Sequence, residues 1–350
     1  MDFNIAIIGA GLIGRKRAIA INNFNNCQLK VITDIIEEKA KDLARELGGE
    51  IQTDWQKVII RDDIDVVVVA TPNKFLKPIS IAALKNGKHV LCEKPLGQNT
   101  KESRDILQAA RDSRVILKTG FNHRHHPAIF KAKQLVNHGE IGNIYYIRCI
   151  YGHGGRAGYE KEWRADKDLC GGGELLDQGV HVVDLFRWFL GEFEEAFGCI
   201  NTYFWDTKVE DNAFAFFKTK KGQIAVMHTS WTQWKNKFIF EVFGEKGYLI
   251  IDGLGGSYGV ERLIIGRRKA EAVDPLSKNE RSFKYAGGPP DEELIEFPGP
   301  DISWQEEWKE FVSAIKENRE PLGSGYDGLM AHRMIEAVYK SAKLNKPVKI

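Results

Sequence analysis

The stretch LCEKPLG, residues 91–97, closes a strand-like apolar run, KHVLCEKP, with a glutamate and a lysine. Pro95 has no N–H to give a ladder, so the strand must stop there. Lys94 is left as an ammonium at the end of a buried strand, where a fixed positive charge can stabilise an anion. A second stretch, GGGELLDQGVHVVDLFRWFLG at 171–191, reads as a helix. It carries Asp177 and His181 four residues apart and so on one face, with Asp184 a turn further on. Imidazole titrates near about 6.5, which makes His181 a candidate proton acceptor. The alternative is a satisfied core histidine behind an aspartate that opens the helix. The three glycines 171–173 suit either a sharp turn or a close approach of backbone to a ligand.

A third pattern lies at the start of the chain. Gly9-x-Gly11-x-x-Gly14, with Leu12 and Ile13 between the last two glycines, directly follows the strand FNIAIIGAG and opens a helix. In that context the glycines let backbone approach a pyrophosphate at a helix N-terminus, where free N–H groups attract anions. The next strand ends at Asp34, whose carboxylate is placed to bond a ribose 2′-hydroxyl and to repel a 2′-phosphate. Ile35 follows where an arginine would favour the phosphate, so NAD is expected over NADP. Arg15, Lys16 and Arg17 read as a solvated helix start, with Arg15 open to a phosphate role.

These residues need a scaffold. Over the first 120 residues, strands (FNIAIIGAG, QLKVITD, DVVVVATPN, KHVLCEKP) alternate with helices (KAKDLARELGG, FLKPISIAALKNG, KESRDILQAARDS). VVVVA has no polar alternation, as in a strand covered on both faces, and the alternation predicts a parallel, doubly wound α/β sheet. After Phe121 the texture changes. A helix over HHPAIFKAKQLVNHGEIG and a strand over NIYYIRCIYGHGG precede the 175–190 helix. Six strand-like runs then follow, separated by turns such as TKKGQ and GEKGY. This predicts an α+β domain on a large, open, mostly antiparallel sheet. Residues 270–300 read as surface loop, and two helices, SWQEEWKEFVSAIKEN and GLMAHRMIEAVYKSAKLN, close the chain. The expected division is a dinucleotide-binding domain at 1–122, a substrate-binding and oligomerisation domain at 123–303, and helices at 304–350 packing back near the junction.

Bulk properties narrow the classes. The 350 residues carry 50 basic and 48 acidic side chains, a net charge of +2, which argues against nucleic acid or an anionic membrane as partner. No apolar run reaches the length of a membrane span. Five scattered cysteines, none in a CxxC pair, and no room for a signal peptide predict free thiols in the cytoplasm. Aromatic-rich strands such as INTYFW need a cover of helices or another subunit.

Taken together, GAGLIG (9–14), ATPN (70–73), EKPLG (93–97), GFNHRHHP (120–127), GGGELLDQGVHVVD (171–184) and the closing GLMAHRMIEAVYKSA resemble the glucose–fructose oxidoreductase/inositol dehydrogenase (Gfo/Idh/MocA) family over nearly the whole chain. The resemblance implies a Rossmann domain that binds NAD through Gly9, Gly11, Leu12, Ile13, Gly14, Asp34, Ala70, Thr71, Pro72, Asn73, Glu93 and Lys94. It implies that Lys94, Asp177 and His181 surround the substrate carbon, with a cis peptide before Pro95. The reaction it implies is dehydrogenation of a secondary hydroxyl of a sugar, cyclitol or sugar derivative, or the reverse. His181 would act as general base, Lys94 would stabilise developing alkoxide, and Asp177 would orient the substrate or His181 and offset the lysine's charge. Glu93 would brace the strand end. Asn122, Arg124, Trp163 and Arg164 are the further substrate-binding candidates, with Arg124 equally placed to fix the domain junction and Trp163 to fill core. His123, His125 and His126 form a histidine cluster without an acid or cysteine at ligand spacing, and no metal is expected. The family implies a homodimer or homotetramer through the second sheet. The FNH segment departs from the tyrosine or methionine that many members carry nearby, so no single sugar is implied.

Three other readings share these residues. One is an NADP-linked keto-sugar reductase. Another is a non-catalytic dinucleotide-sensing regulator, against which the joint presence of Lys94, Asp177 and His181 argues. The third is a hydrolytic or eliminating enzyme with transient oxidation and no net NADH.

Overall fold

A computed structural model describes residues 3–268 and 290–350. The first part runs β1 (Phe3–Ile8), α1 (Leu12–Asn22), β2 (Cys27–Thr33), α2 (Glu37–Leu47), β3 (Glu50–Gln52), α3 (Trp55–Ile59) and β4 (Val66–Val69). It continues with α4 (Asn73–Lys85), β5 (His89–Glu93), α5 (Thr100–Ser113) and β6 (Leu117–Gly120). The six strands form one sheet in the order β3-β2-β1-β4-β5-β6, and every pairing is parallel. All four valines of β4 are fully buried, so the run without polar alternation is the sheet centre, covered on both sides. This is the doubly wound α/β architecture expected. β3 and β6 were not legible as strands: the first is three residues long, and the second carries Lys118 and Thr119 at 0% exposure.

A short 3₁₀ turn at Asn122–His125 leads into the second part. α6 spans Pro127–Asn137, shorter than expected at both ends, because Pro127 fits only the first helical turn. β7 (Ile144–Gly152) follows, then α7 (Lys167–Cys170), α8 (Glu174–Asp177) and α9 (Gly179–Leu190). The single helix expected over 175–190 is therefore split at Gln178 into α8 and α9. The remaining strands are β8 (Phe193–Asn201), β9 (Asn212–Thr219), β10 (Ile224–Ser230), β11 (Lys237–Gly244), β12 (Gly247–Asp252), β13 (Glu261–Arg267) and β14 (Asp291–Phe297). β14 corrects the reading of 270–300 as loop over its last part: alternation is masked there by four acidic residues among seven, and the strand is recognised only through its pairing with β13. The rest of that stretch, to residue 289, lies outside the described residues.

α10 (Ser303–Glu317), α11 (Gly325–Leu344) and β15 (Val348–Lys349) complete the chain. The second sheet has nine strands in the order β14-β13-β12-β11-β7-β10-β9-β8-β15, antiparallel except where β10 lies parallel to β7. Its inner face packs on α9 and α11 through Phe186, Phe217, Phe240 and Val338, all at 0% exposure. Its other face leaves Tyr145, Phe214, Phe216 and Val226 exposed. The two closing helices part company. Trp308, Phe311 and Val312 of α10 join the core beneath β1, where each stabilises by about 2 kcal/mol on burial. α11 crosses back from α5 to β8, so the chain end belongs to both halves. Its start is fixed by a capping box between Ser324 and Asp327.

Candidate active site

A cavity of about 380 Å³ opens where the two halves meet. From the first half it takes Leu12 and Ile13 at the start of α1, Lys16, and Glu93 and Lys94 at the end of β5. From the second half it takes Asn122, His123, Arg164, Asp177 and His181, with Tyr151, Gln178 and Tyr258 on its wall. The Lys94–Pro95 peptide is cis, as the sequence resemblance implied.

Lys94 Nζ donates to the Asp177 main-chain carbonyl at 2.6 Å and to its Oδ1 at 2.8 Å. Arg164 Nε approaches Asp177 Oδ2 at 3.2 Å. Burial pushes the Asp177 carboxyl up, but the two cations outweigh it and hold the group below the usual carboxylate range. The aspartate is therefore charged at neutral pH, and it neutralises the lysine. His181 is buried, and its ring stacks on that of His123 with centroids 3.8 Å apart. Its Nδ1 is buried without a hydrogen-bond partner, and the residue lines the cavity. Burial first, and then the neighbouring Lys94 charge, hold its pKa well below the ordinary histidine value. A neutral imidazole at pH 7 follows.

Several expected site residues are placed differently. Arg124 is 2% exposed and forms a two-pronged bond to Asp184, at 2.8 and 2.6 Å, with Asp327 at 3.3 Å. These carboxylates engage three of its five N–H donors, and it does not line the cavity; the contacts join the turn after β6 to α9 and α11, the kind of bracing that the second of its two expected roles requires. The guanidinium of Arg164 covers the ring of Trp163 at 4.5 Å, and Trp163 packs on the cluster of Tyr159, Cys170, Val209 and Trp231. Trp163 is thus a packing residue that supports Arg164 rather than a stacking surface in the cavity. Asn122 lines the cavity, but its Nδ2 is committed to Ser303 Oγ at 2.9 Å.

The first helix also departs from expectation. Arg15 pairs with Glu46 at the surface and Lys16 lies over the Trp304 ring. Arg17 is 1% exposed, where a solvated helix start was expected. Its guanidinium donates to Glu93 at 2.6 Å and pairs with Glu307 of α10. A helix-start arginine is indistinguishable by sequence from a solvated one when both of its acids lie 76 and 290 residues away. Glu93 accordingly braces the strand end, and it also borders the cavity. In the histidine cluster, His126 meets Glu261 at 3.2 Å, His123 meets Asn122 Oδ1 at 3.2 Å, and the His125 Nε2 is buried without a partner.

The glycine loop fits a dinucleotide. Gly9 has a φ of +105°, and a Cβ there would lie 2.4 Å from the Ala70 carbonyl oxygen. A Cβ on Gly14 would lie 1.8 Å from the Gly9 carbonyl oxygen, so the turn closes only with glycine at both. Gly11 faces open space, and no side chain caps the first N–H groups of α1. Those donors remain for an anion. Asp34 accepts from Ala10 N at 2.8 Å, bracing the loop from the end of β2. Thr71 keeps a buried hydroxyl without a partner. Pro72 caps α4, while the Asn73 amide is spent on the Cys170 carbonyl at 2.8 Å.

Comparison with known proteins agrees with this arrangement. Residues 3–121 match the profile described as "Oxidoreductase family, NAD-binding Rossmann fold", and residues 129–250 match "GFO/IDH/MocA C-terminal domain". The chain belongs to the Gfo/Idh/MocA oxidoreductase family. Its first domain is a Rossmann domain of the NAD-binding type. A levoglucosan dehydrogenase of Pseudarthrobacter phenanthrenivorans is 34% identical over 213 residues, a match spanning 58% of this chain and 55% of that relative. The myo-inositol 2-dehydrogenase of Thermotoga maritima is 26% identical over 358 residues, covering 99% of this chain and 98% of the relative. Among solved structures, a levoglucosan dehydrogenase in complex with NADH superposes with a TM-score of 0.87 at 24% identity, covering 100% of this chain and 99% of that one.

Sequence reasoning missed several side chains that this family fold brings to the cavity. Tyr258 and Ser257 come from the glycine-rich turn after β12, and Asp301 and Trp304 from the approach to α10. Each is far in sequence from the motifs. Only the unusual density of glycine in GLGGSYG, and a tryptophan at a helix start, could have flagged them.

Proposed function

We propose that the protein is an NAD-dependent dehydrogenase that oxidises a secondary hydroxyl of a sugar, cyclitol or sugar derivative, or carries out the reverse reduction. The observation that supports it best is convergence. Lys94 from the end of the first sheet meets Asp177 and His181 from the second half in one cavity, beside Leu12 and Ile13 of the dinucleotide loop.

NAD, when bound, supplies the hydride acceptor. His181, neutral and facing the cavity, takes the hydroxyl proton. An ammonium has three donors; Lys94 directs two of its hydrogen bonds to Asp177, which leaves one for the substrate oxygen. That donor is fixed before reaction and faces the oxygen as negative charge develops, an effect of about 3 kcal/mol for comparable preorganised donors. Asp177, held by Lys94 and Arg164, keeps the ammonium aimed and prevents two cations from repelling each other in a half-buried site. Asp34 at the end of β2 supports NAD over NADP by repelling a 2′-phosphate.

A polyol substrate is supported by the names of the relatives above and by the cavity's mix of hydroxyl, amide and charged groups. The exposed aromatic face of the nine-stranded sheet supports a homodimer or homotetramer built on it. None of the five cysteines is in a disulfide, which supports a reducing, cytoplasmic setting, and no helix among the described residues is long and apolar enough to cross a membrane. The test is NADH formation at 340 nm with levoglucosan, myo-inositol, D-glucose and glucose 6-phosphate, with NADP in parallel. Turnover of at least one polyol with NAD is expected; no turnover across sugars and cyclitols would overturn the proposal.

A further inference from the structure

One wall of the cavity consists of Gln178, Tyr151 and Tyr258, which the chemistry above does not use. Gln178 follows Asp177 at the break between α8 and α9, and it is 7% exposed. Its Nε2 donates to the Tyr258 hydroxyl oxygen at 3.0 Å, while its Oε1 is buried without any partner. Leaving such an acceptor unsatisfied costs about 1–3 kcal/mol, and native structures rarely tolerate it. In a residue that lines a cavity, the missing donor is supplied by whatever the cavity holds. The wall lies next to the reacting groups: the Tyr151 ring is 5.5 Å from Tyr258 and 5.3 Å from His123, which stacks on His181. Burial raises both phenols above their ordinary pKa, so both keep their protons and present hydrogen-bonding hydroxyls to the same space.

We propose that Gln178 determines substrate specificity, its Oε1 accepting a hydrogen bond from a substrate hydroxyl other than the one oxidised, with Tyr258 holding the amide in place. The inference rests on the reading that a polyol occupies this cavity. It requires a donor beside the reacting carbon, so a deoxy, O-methyl or keto group there is rejected, because each leaves the amide oxygen unpaired.

The test combines a crystal structure of the NAD-loaded protein soaked separately with myo-inositol and levoglucosan and the steady-state kinetics of Gln178→Leu and Tyr258→Phe. A sugar or cyclitol hydroxyl within about 3.2 Å of Gln178 Oε1 is expected. Gln178→Leu should raise KM about tenfold with kcat within about threefold, and Tyr258→Phe should raise KM less. A polyol bound with no oxygen near Gln178, a cavity that takes up neither compound, or an unchanged KM in Gln178→Leu overturns the proposal. Turnover without the Gln178 contact leaves the dehydrogenase reading standing and removes this one. The contact without turnover does the reverse.

Discussion

Lys94 and Asp177 are 83 residues apart in sequence, yet the lysine ammonium donates to both the main-chain carbonyl and the carboxylate of the aspartate. The pair ties the end of β5 to α8, the turn that immediately precedes the His181 helix α9. It also explains why a charged residue ends a buried strand: the ammonium faces Asp177 rather than water.

His181 should behave as a base that stays neutral well into acid. Its folded pKa is depressed by burial and then by Lys94, so the group carries no proton at pH 7. The acid limb of kcat/KM for polyol oxidation should therefore fall below about pH 6.5, the ordinary histidine value. His181→Asn should cost about 10²–10⁴ in kcat/KM and abolish that limb. An acid limb centred at or above 6.5 would mean that another group titrates.

Stability should fall on acidification in the same region. His332 is buried, and burial lowers its pKa to about 4 even though its Nε2 sits 3.2 Å from the Gly97 carbonyl. Between pH 6.5 and 4 the unfolded chain binds a proton that the folded chain refuses, so stability is complete above 6.5 and lost as pH drops toward 4. For this residue the loss approaches about 3 kcal/mol. Thermal unfolding should show a declining Tm between pH 7 and 5, with a shallower decline in His332→Gln.

The junction arginine should be structural. Arg124→Met leaves Asp184 as an unpaired buried charge and should destabilise by about 3–5 kcal/mol in urea unfolding. Asp184→Leu combined with Arg124→Met should recover part of that loss. If Arg124→Met instead left stability unchanged and raised only KM, the residue would have to reach substrate after all.

Cofactor choice should move with Asp34. Asp34→Ser removes the charge that repels a 2′-phosphate, and it weakens the brace to Ala10 N. The ratio of NADP to NAD affinity should rise by about tenfold or more in fluorescence titration, with NAD itself bound more weakly. An unchanged ratio would remove Asp34 from cofactor selection.

Sequence legibility followed locality. The glycine loop and β4 were readable because each depends on neighbours within a few turns, whereas the single helix expected through Asp177 and His181 is split at Gln178. Lys94 was readable as anomalous, since a proline stops its strand. Arg17 was not: it looks like a surface side chain until Glu93 and Glu307, far off in sequence, bury it, and for Arg124 and Trp163 the sequence left a ligand role and a structural role equally open. The buried pair between Arg17 and Glu307 joins α1 to α10, and only the folded chain brings those helices together. β14 was hidden for a related reason, its acidic outer edge overriding the strand alternation.

The account turns on Lys94 acting on the substrate and not on the cofactor alone. The most direct measurement compares Lys94→Ala with the unaltered protein, using kcat for polyol oxidation and the affinity for NAD by titration. A loss of about 10²–10³ in kcat with NAD affinity within about threefold is the predicted result. Unchanged turnover, or a loss traced entirely to failed NAD binding, would contradict it.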